Sequence, residues 1–297
     1  MIRTIRDLFT YHLRSTREFA AHDVENVYRK AMRDLSAAGV QSLHGKRVLD
    51  LGCGQRFPFS LMAVASGAQV VALDMSYVKP EVLPAYFLHA LSANGLNRAA
   101  RSAVRRLFFD KKYYGQLETS FGAPLLKGAR SIDFILADPQ ASKYPLTDCS
   151  FDLIASNAVL EHVQDVGMFF SEIRRLLKTG GVFYGIIHNY FSLSGGHNLL
   201  WAYPDQSPTT DVPPWDHLRK NRFPSHVYLN RLLPEEFRKI AASHLQVLTF
   251  EGRNLVHDRC GAEGERYLTP EIQSELSRYD RETLLTRSYC IICKKES

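Results

Sequence analysis

Between residues 46 and 187, short apolar segments alternate with longer segments whose apolar side chains recur at helical spacing. Strands that alternate with helices in this way form a parallel sheet with crossover helices on its faces. The alternation therefore predicts an α/β fold. The predicted strands are Arg47–Leu51, Gln69–Leu73, Asp133–Ala137, Phe151–Ser156 and Val182–Ile187.

The composition is that of an ordinary globular protein. Of 297 residues, 45% are hydrophobic and 23% are charged, which allows one large domain and excludes collagen, coiled coils and general disorder. The net charge of +6 is compatible with an anionic partner but too small to indicate DNA. The longest uncharged stretch, Gly180–Pro204, contains glycine, histidine and asparagine, so no transmembrane segment is predicted. Five scattered cysteines are typical of a reducing compartment and predict a cytoplasmic protein.

Three segments are set apart from the alternating pattern. Residues 1–45 have apolar side chains at helical spacing, and we interpret them as an N-terminal helical cap on a domain that spans 46–297. An insertion at 77–130 is also predicted to be helical. Residues 189–231, rich in Pro, Gly, His and Trp, follow no period, and a connection that long is typical of a functional lid.

The clearest helical pattern precedes the fifth predicted strand. Apolar residues recur at helical spacing from Val166 to Leu177. Lys178 suits the negative end of a helix, and the pair Gly180 and Gly181 predicts that the helix ends there.

The turn after the first predicted strand contains the residues of a nucleoside pocket. Asp50 precedes Gly52 and Gly54, which let the backbone approach a ligand without an intervening Cβ atom. Asp74 lies twenty residues after Gly54, where a carboxylate can accept hydrogen bonds from both ribose hydroxyls. A dinucleotide site would have a third glycine for the pyrophosphate at position 57, where this chain has Phe57. The turn therefore favours a nucleoside without phosphates.

Four motifs, in order along the chain, resemble those of class I S-adenosylmethionine-dependent methyltransferases. The motifs are Val48–Gly54 (VLDLGCG) followed by the acid Asp74, then Ser150–Ile154, Asn157–Val163 and Leu176–Val182. The resemblance implies a Rossmann-like, seven-stranded mixed sheet with helices on both faces. It also implies S-adenosylmethionine as the cofactor.

The same resemblance implies which residues hold the cofactor. Gly52 and Gly54 would lie beside its methionine part, and Asp74 would bind its ribose. Met75 would pack on the adenine, whose amine commonly meets an acid near the end of the third strand. The full predicted set is Asp50, Gly52, Cys53, Gly54, Asp74, Met75, Asp138, Gln140 and Asn157.

Three histidines are candidates for the catalytic machinery. Methyl transfer from a sulfonium is an in-line displacement, so the protein aligns donor and acceptor and removes a proton if the acceptor is a hydroxyl. Histidine is the natural base near neutral pH. His162 follows the fourth predicted strand and His188 ends the fifth, where open α/β sheets bind ligands. Either can be the base, and for His162 a structural role beside the cofactor is the alternative. His217 of the predicted lid is the third candidate.

The predicted lid mixes aromatic and charged side chains that suit a polyhydroxylated or polar aromatic acceptor. Its segment Pro213–Arg219 (PPWDHLR) resembles a lid of bacterial methyltransferases. The spacing of His197, Asp216 and His217 matches no standard ligand set, so no metal site is predicted. The residues predicted to contact the acceptor are His197, Trp215, Asp216 and Arg219.

Basic and aromatic residues are also mixed in the insertion, between Arg101 and Tyr114. Such a mixture can bind phosphates, although it is more often the solvated face of an amphipathic helix. An anionic acceptor, such as a phosphorylated or lipid-linked sugar, therefore stays open.

Together these features predict a methyltransferase that acts on a hydroxyl of a small polar acceptor, either sugar-like or a secondary metabolite. The alternatives are an RNA or protein methyltransferase, a nicotinamide-dependent oxidoreductase and a non-catalytic binding module. No DNA partner is predicted, and a homodimer is left open.

Overall fold

The structure is a computed structural model, and it covers most of the predicted elements. The first 18 residues of the predicted N-terminal cap and residues 202–210 of the predicted lid lie outside the part that it describes. The described residues are 19–79, 83–141, 143–201, 211–254 and 264–296.

Seven strands form one mixed sheet, which confirms the α/β fold and the strand number that the resemblance implied. The strands are β1 (Arg47–Leu51), β2 (Gln69–Asp74), β3 (Asp133–Leu136), β4 (Phe151–Asn157), β5 (Leu177–His188), β6 (Gln246–Arg253) and β7 (Ser288–Lys294). Their order is β3-β2-β1-β4-β5-β7-β6. β1 pairs in parallel with β2 and β4, and β2 with β3, whereas β7 runs antiparallel to β5 and β6.

Helices connect most of these strands. The α-helices are α1 (Lys30–Ala37), α2 (Pro58–Ala65), α3 (Leu83–Asn94), α4 (Leu96–Arg105), α5 (Lys111–Phe121), α6 (Val166–Leu176), α7 (Pro234–Ala242), α8 (Pro270–Glu275) and α9 (Arg281–Leu285). Two π-helical segments are Asp23–Arg29 and Arg106–Asp110. None of the helices in the described ranges is long and apolar enough to cross a membrane.

The chain divides into two compact units, which are described separately. The first unit comprises Met1–Pro139 and Phe151–Ala155. The second unit comprises Gln140–Ser150 and Ser156–Ser297.

In the first unit, β1 and β2 are buried along almost their whole length. Strands covered on both faces are typical of parallel sheets, and this explains their near-continuous apolar sequence. α2 begins with Pro58, whose fixed φ and missing N–H suit the first turn of a helix. The insertion is helical, as predicted, and contributes α3, α4 and α5.

In the second unit, α6 ends earlier than the sequence predicts. Asp165 caps its start by accepting a hydrogen bond from the backbone N–H of Met168 at 2.8 Å. The helix stops at Leu176, and the predicted last turn with its two glycines belongs to β5 instead. The backbone N–H of Gly180 donates to the carbonyl oxygen of Lys295 at 2.8 Å. Pairing at the start of β5 therefore overrides the local glycine signal.

The described part of the predicted lid is more ordered than its irregular sequence indicates. It contains two short 3₁₀ helices, Leu199–Trp201 and Asp216–Leu218. Its large apolar side chains form a core with residues of α8, α9 and their flanks. The buried members of this core are Phe191, Leu193, Trp201, Val212, Trp215, Leu218, Leu268, Ile272, Leu276, Leu284 and Leu285.

Candidate active site

The turn between β1 and α2 is an open backbone cradle. Gly52 and Gly54 have φ angles of 77° and 70°, in the left-handed region that favours glycine. The N–H groups of Gly52 and Cys53 donate to the carbonyl oxygen of Leu73 at 2.8 and 3.1 Å, which ties the turn to the end of β2. A Cβ atom on Gly54 would have no other heavy atom within 4 Å. The turn therefore leaves space for a ligand against the main chain.

The carboxylate of Asp74 is held in place with acceptor capacity to spare. One of its oxygens accepts the N–H of Gly54 at 3.0 Å, and the other accepts the N–H of Ser76 at 2.8 Å. An ionised carboxylate has about four lone-pair sites, so each oxygen can accept one further hydrogen bond. This is the arrangement that two ribose hydroxyls require.

Asp50 and Cys53 are buried next to this turn. Ser60 donates its hydroxyl to the Asp50 carboxylate at 2.5 Å, which joins β1 to α2. Burial raises the pKa of Asp50 to about 7, and the charge of Asp74 adds to this shift. Burial also raises the pKa of Cys53, so this side chain is a neutral thiol. Both residues support the turn from within the core.

Two arginines of the insertion, Arg105 and Arg106, form hydrogen bonds within the chain, and Arg105 braces the turn. Arg105 donates to the side chain of Gln55 at 2.8 Å and to Asp110 at 3.1 Å. Arg56 donates to the same Asp110 at 2.9 Å. Arg106 donates to the carbonyl oxygen of Lys79 at 2.8 Å. These guanidinium groups have partners within the chain, and an anionic acceptor at these arginines is therefore not favoured.

The remaining cofactor residues lie at the surface. The side chain of Met75 is 53% exposed, which leaves an apolar surface next to Asp74. Asp138 is exposed in the first unit, and Gln140 and Asn157 are exposed in the second. The roles of Met75, Asp138 and Gln140 toward the adenine, and of Asn157 toward the cofactor, stay predictions.

In the second unit, three of the predicted histidines form a cluster. His188 ends β5, and its Nδ1 lies 2.8 Å from Nε2 of His197. The rings of His188 and His197 stack with centroids 4.7 Å apart. The ring of His162 meets His197 edge to face at 4.9 Å. The Nε2 atom of His188 lies 2.8 Å from the hydroxyl of Ser194.

The shape of the loop after β5 explains how the ring of His197 comes to contact the ring of His188. A Cβ atom on Gly195 would lie 2.1 Å from the carbonyl oxygen of Tyr190, and one on Gly196 would lie 2.7 Å from the ring of His217. Only glycine fits these positions. His197 itself has a φ of 52°, a conformation that costs energy for a residue with a side chain and is common at functional sites.

Backbone carbonyl groups determine the tautomers of His162 and His217. Nδ1 of His162 lies 2.8 Å from the carbonyl oxygen of Tyr228, and Nε2 of His217 lies 2.8 Å from that of Tyr190. Because a carbonyl oxygen only accepts, each of these nitrogens carries the proton. In neutral His162 the lone pair is therefore on Nε2.

Glu161, which sequence reasoning missed, is buried beside the histidines. Its side chain is 2% exposed, and neither carboxylate oxygen has a hydrogen-bond partner among the described residues. Burial raises its pKa to about 8. The main-chain N–H groups of Glu161 and His188 face the carboxylate and lower its pKa somewhat, but neither forms a hydrogen bond of normal geometry with it. One carboxylate oxygen lies 4.0 Å from Nε2 of His162.

Burial keeps the deeper histidines uncharged at neutral pH. It holds the pKa of His188 well below its usual range and lowers the pKa of His197 and of His217 to about 4. The positive charge of Arg287 adds to the shifts of His188 and His197, because it disfavours a second positive charge on these rings. Neutral imidazoles can accept hydrogen bonds or bind metal ions.

Two pockets of the second unit share His217, Tyr190 and Arg231 in their walls. One has a volume of about 330 Å³ and is also lined by Arg278. The other has a volume of about 350 Å³ and is also lined by Tyr228. Arg231, Arg278 and the two tyrosines were not predicted, because they lie outside the recognised motifs.

Three residues predicted to contact the acceptor have structural partners instead. Trp215 is fully buried, and its indole N–H donates to the carbonyl oxygen of Phe191 at 3.1 Å. Asp216 is 4% exposed and accepts the backbone N–H of Phe223 at 2.9 Å. Arg219 forms two hydrogen bonds with the carboxylate of Glu275, at 2.6 and 2.7 Å. In each case a charged or aromatic side chain that resembled a binding group stabilises the fold of the loop.

A family model described as a methyltransferase domain matches residues 20–236. The chain belongs to this methyltransferase family. It is an S-adenosylmethionine-dependent methyltransferase, and this excludes the nicotinamide-dependent alternative. The match to this family confirms the predicted enzyme class and cofactor.

Solved structures with a similar fold include two methyltransferases and one protein whose activity is not stated. An S-adenosylmethionine-dependent methyltransferase from Mesorhizobium loti is 17% identical, with a TM-score of 0.48 and coverage of 89% of this chain and 97% of that one. The PH0226 protein from Pyrococcus horikoshii is 17% identical, with a TM-score of 0.46 and coverage of 90% and 91%. Geranyl diphosphate C-methyltransferase from Streptomyces coelicolor, solved with S-adenosyl-L-homocysteine, is 15% identical, with a TM-score of 0.46 and coverage of 90% and 77%. Comparison with curated proteins gives no match.

Proposed function

We propose that this methyltransferase methylates a hydroxyl group of a small polar acceptor that also carries an anionic group, such as a sugar phosphate. The observation that carries the proposal is the 330 Å³ pocket of the second unit, whose wall contains His217, Arg231 and Arg278. Two arginines and several hydrogen-bonding side chains suit a hydroxylated anion better than an apolar substrate.

On the cofactor side, the open turn at Gly52–Gly54 and the spare acceptor sites of Asp74 fit an adenosine that bears a methionine part. When bound, S-adenosylmethionine supplies an electrophilic methyl group that an acceptor oxygen attacks in line. We assign the ribose to Asp74 and the methionine part to the glycine turn. Met75 would cover the adenine.

Among the candidate bases, the geometry favours His162. Both ring nitrogens of His188 have partners, and Nε2 of His217 donates to a carbonyl oxygen. The Nε2 atom of His162 has no hydrogen-bond partner among the described residues, and the side chain is 35% exposed. We therefore propose that His162 accepts the proton of the acceptor hydroxyl at Nε2. His188 and His217 would be positioning residues.

Arg231 and Arg278 would bind the anionic group of the acceptor. Their guanidinium groups lie over the rings of Tyr190 and Tyr279, 5.3 and 4.8 Å from the centroids. Within the described ranges, neither arginine forms an ion pair with an acidic side chain. Their remaining N–H donors can therefore form charge-assisted hydrogen bonds with a phosphate or carboxylate.

No observation favours RNA or protein as the acceptor, because Arg105 and Arg106 of the insertion already have intramolecular partners. The finer expectations of a cytoplasmic location and of a homodimer, and the idea that residues 189–231 move as a lid, stay proposals.

The test is a methyl-transfer assay on the full chain with radiolabelled S-adenosylmethionine. The acceptors are a neutral hexose, a hexose phosphate, a nucleoside diphosphate sugar and a hydroxylated aromatic carboxylate. We expect turnover only with anionic acceptors, and we expect Arg278→Met to raise their KM. Equal turnover of the neutral hexose would refute the proposal. So would an RNA or protein acceptor whose binding weakens steeply with salt.

The variant His162→Gln tests the assignment of the base. We expect kcat to fall about 100-fold or more while the affinity for S-adenosylmethionine is retained. His226→Gln is the matched control, because His226 is an exposed histidine of the same unit. A His162→Gln enzyme as active as this control would refute the role of His162.

A further inference from the structure

Three side chains with metal-ligating atoms converge in the second unit. They are Glu161, His188 and His197, and one ligand atom from each lies within 4.8 Å of the other two. We propose that they bind a divalent transition-metal ion through a Glu161 carboxylate oxygen, Nδ1 of His188 and Nε2 of His197. This site differs from the combination of His197, Asp216 and His217, whose spacing matches no standard ligand set.

The buried carboxylate of Glu161 is the independent observation that points to a cation. Both of its oxygens are buried and without a hydrogen-bond partner in the described part of the chain. A buried carboxyl group, charged or neutral, normally has a hydrogen-bond partner or a metal, because removing its polar atoms from water without a partner is costly. Glu161 lies in the short 3₁₀ helix Leu160–His162, and the backbone N–H of Asn230 anchors this helix by donating to the carbonyl oxygen of Glu161 at 2.9 Å. A bound cation would supply the missing partner.

The two histidines have the orientation that metal ligands require. If Nε2 of His188 carries the proton and donates it to Ser194, its Nδ1 lone pair faces Nε2 of His197. A hydrogen bond from the other ring nitrogen is the usual way in which a ligating histidine is oriented. The left-handed backbone conformation of His197 would then have a function, because it places the second imidazole next to the ion.

The distances are close to those of a bound ion. Ligand atoms at about 2.1 Å from one Zn²⁺ ion lie no more than about 4.2 Å apart. The cluster spans up to 4.8 Å, so Glu161 has to move closer to the histidines when an ion binds. The two histidine nitrogens are 2.8 Å apart, a hydrogen-bond distance, so the ion would replace the proton that they share.

The donor set indicates the class of ion. Two imidazoles and one carboxylate suit Zn²⁺, Fe²⁺ or Co²⁺, whereas Mg²⁺ prefers oxygen ligands. Three protein ligands leave coordination positions open, as in catalytic rather than structural zinc sites. The role of the ion would be to bind and orient the acceptor oxygen, and this role alone depends on the proposed function.

The experiment measures binding directly. Full-length protein is freed of metal with a chelator and titrated with Zn²⁺ by calorimetry, and the Co²⁺ form is examined by visible absorption. We expect about one equivalent of bound ion and a Co²⁺ spectrum without the thiolate charge-transfer bands that cysteine ligands would give. We expect Glu161→Gln and His197→Asn each to weaken binding at least tenfold, and His226→Asn to leave it unchanged.

Thermal unfolding with and without Zn²⁺ gives a second measurement. The melting temperature of the wild type should rise with Zn²⁺, whereas that of Glu161→Gln should not respond. If Glu161→Gln does not fold, His197→Asn provides the same comparison. Absence of binding by the wild type, or undiminished binding by both variants, would overturn the proposal. One equivalent of metal in a protein that methylates no small acceptor would support the metal site and refute only the proposed function.

Discussion

The variant Asp74→Asn tests the cofactor site at its best-defined residue. Each oxygen of Asp74 already accepts one backbone N–H, at 3.0 Å from Gly54 and 2.8 Å from Ser76. The two remaining acceptor sites match two ribose hydroxyls, and hydrogen bonds to a charged group contribute about 1.5–3 kcal/mol each. Asparagine keeps one oxygen and has no charge. We expect the variant to lose about 3 kcal/mol of binding free energy, which is about a 150-fold increase in Kd.

The assay is calorimetric titration with S-adenosylhomocysteine, and Asp133→Asn is the control. Asp133 is an exposed acid at the start of β3 in the same unit, so its substitution should change Kd less than about twofold. Asp74 also holds two backbone N–H groups, so part of the loss could reflect a displaced turn. A double-mutant cycle separates these effects, because a 2′,3′-dideoxy analogue of the ligand lacks the hydroxyls.

We expect most of the Asp74→Asn penalty to disappear with the dideoxy analogue. An unchanged Kd for the natural ligand would refute the ribose assignment. A penalty of equal size with both ligands would show that Asp74 acts only by holding the turn.

Two further variants test the remaining structural assignments. Trp215→Phe removes the buried hydrogen bond to the Phe191 carbonyl oxygen, so it should reduce the free energy of unfolding by about 1–3 kcal/mol. The KM for the acceptor should not change. A raised KM at unchanged stability would instead indicate that Trp215 contacts the acceptor. Asp50 has a pKa of about 7 in the folded state against an ordinary 3.8, so between these pH values the folded state holds a proton that the unfolded state has lost. The free energy of unfolding should therefore fall as pH rises through this window, by an amount on the order of 4 kcal/mol. When this free energy is measured by urea unfolding at several pH values, it should depend less steeply on pH in Asp50→Asn than in the wild type. An equal pH dependence in the two proteins would contradict the assigned pKa.

Local patterns were sufficient where function depends on residues close together in sequence. The strand that ends at Leu51, the glycines at 52 and 54 and the acid at 74 form one β-turn-α-β unit whose geometry follows from its own residues. Local patterns therefore determined the α/β class and the helical insertion, and the resemblance of four ordered motifs to a known family implied the cofactor and the enzyme class. The predicted end of α6 was wrong, because β5 pairs with a strand more than a hundred residues later in the chain.

Tertiary structure alone decided the roles of polar and aromatic side chains in the second unit. In the sequence, Trp215, Asp216 and Arg219 look like binding groups. In the fold, Trp215 is buried in a packed core, Asp216 accepts a backbone N–H, and Arg219 binds a carboxylate that is distant in sequence. Glu161 looks like an ordinary residue of a recognised motif, and nothing in the motif indicates that its carboxylate is buried without a partner. Whether a titratable side chain meets water, a hydrogen-bond partner or another ligand depends on segments that are far apart along the chain and are brought together only by folding.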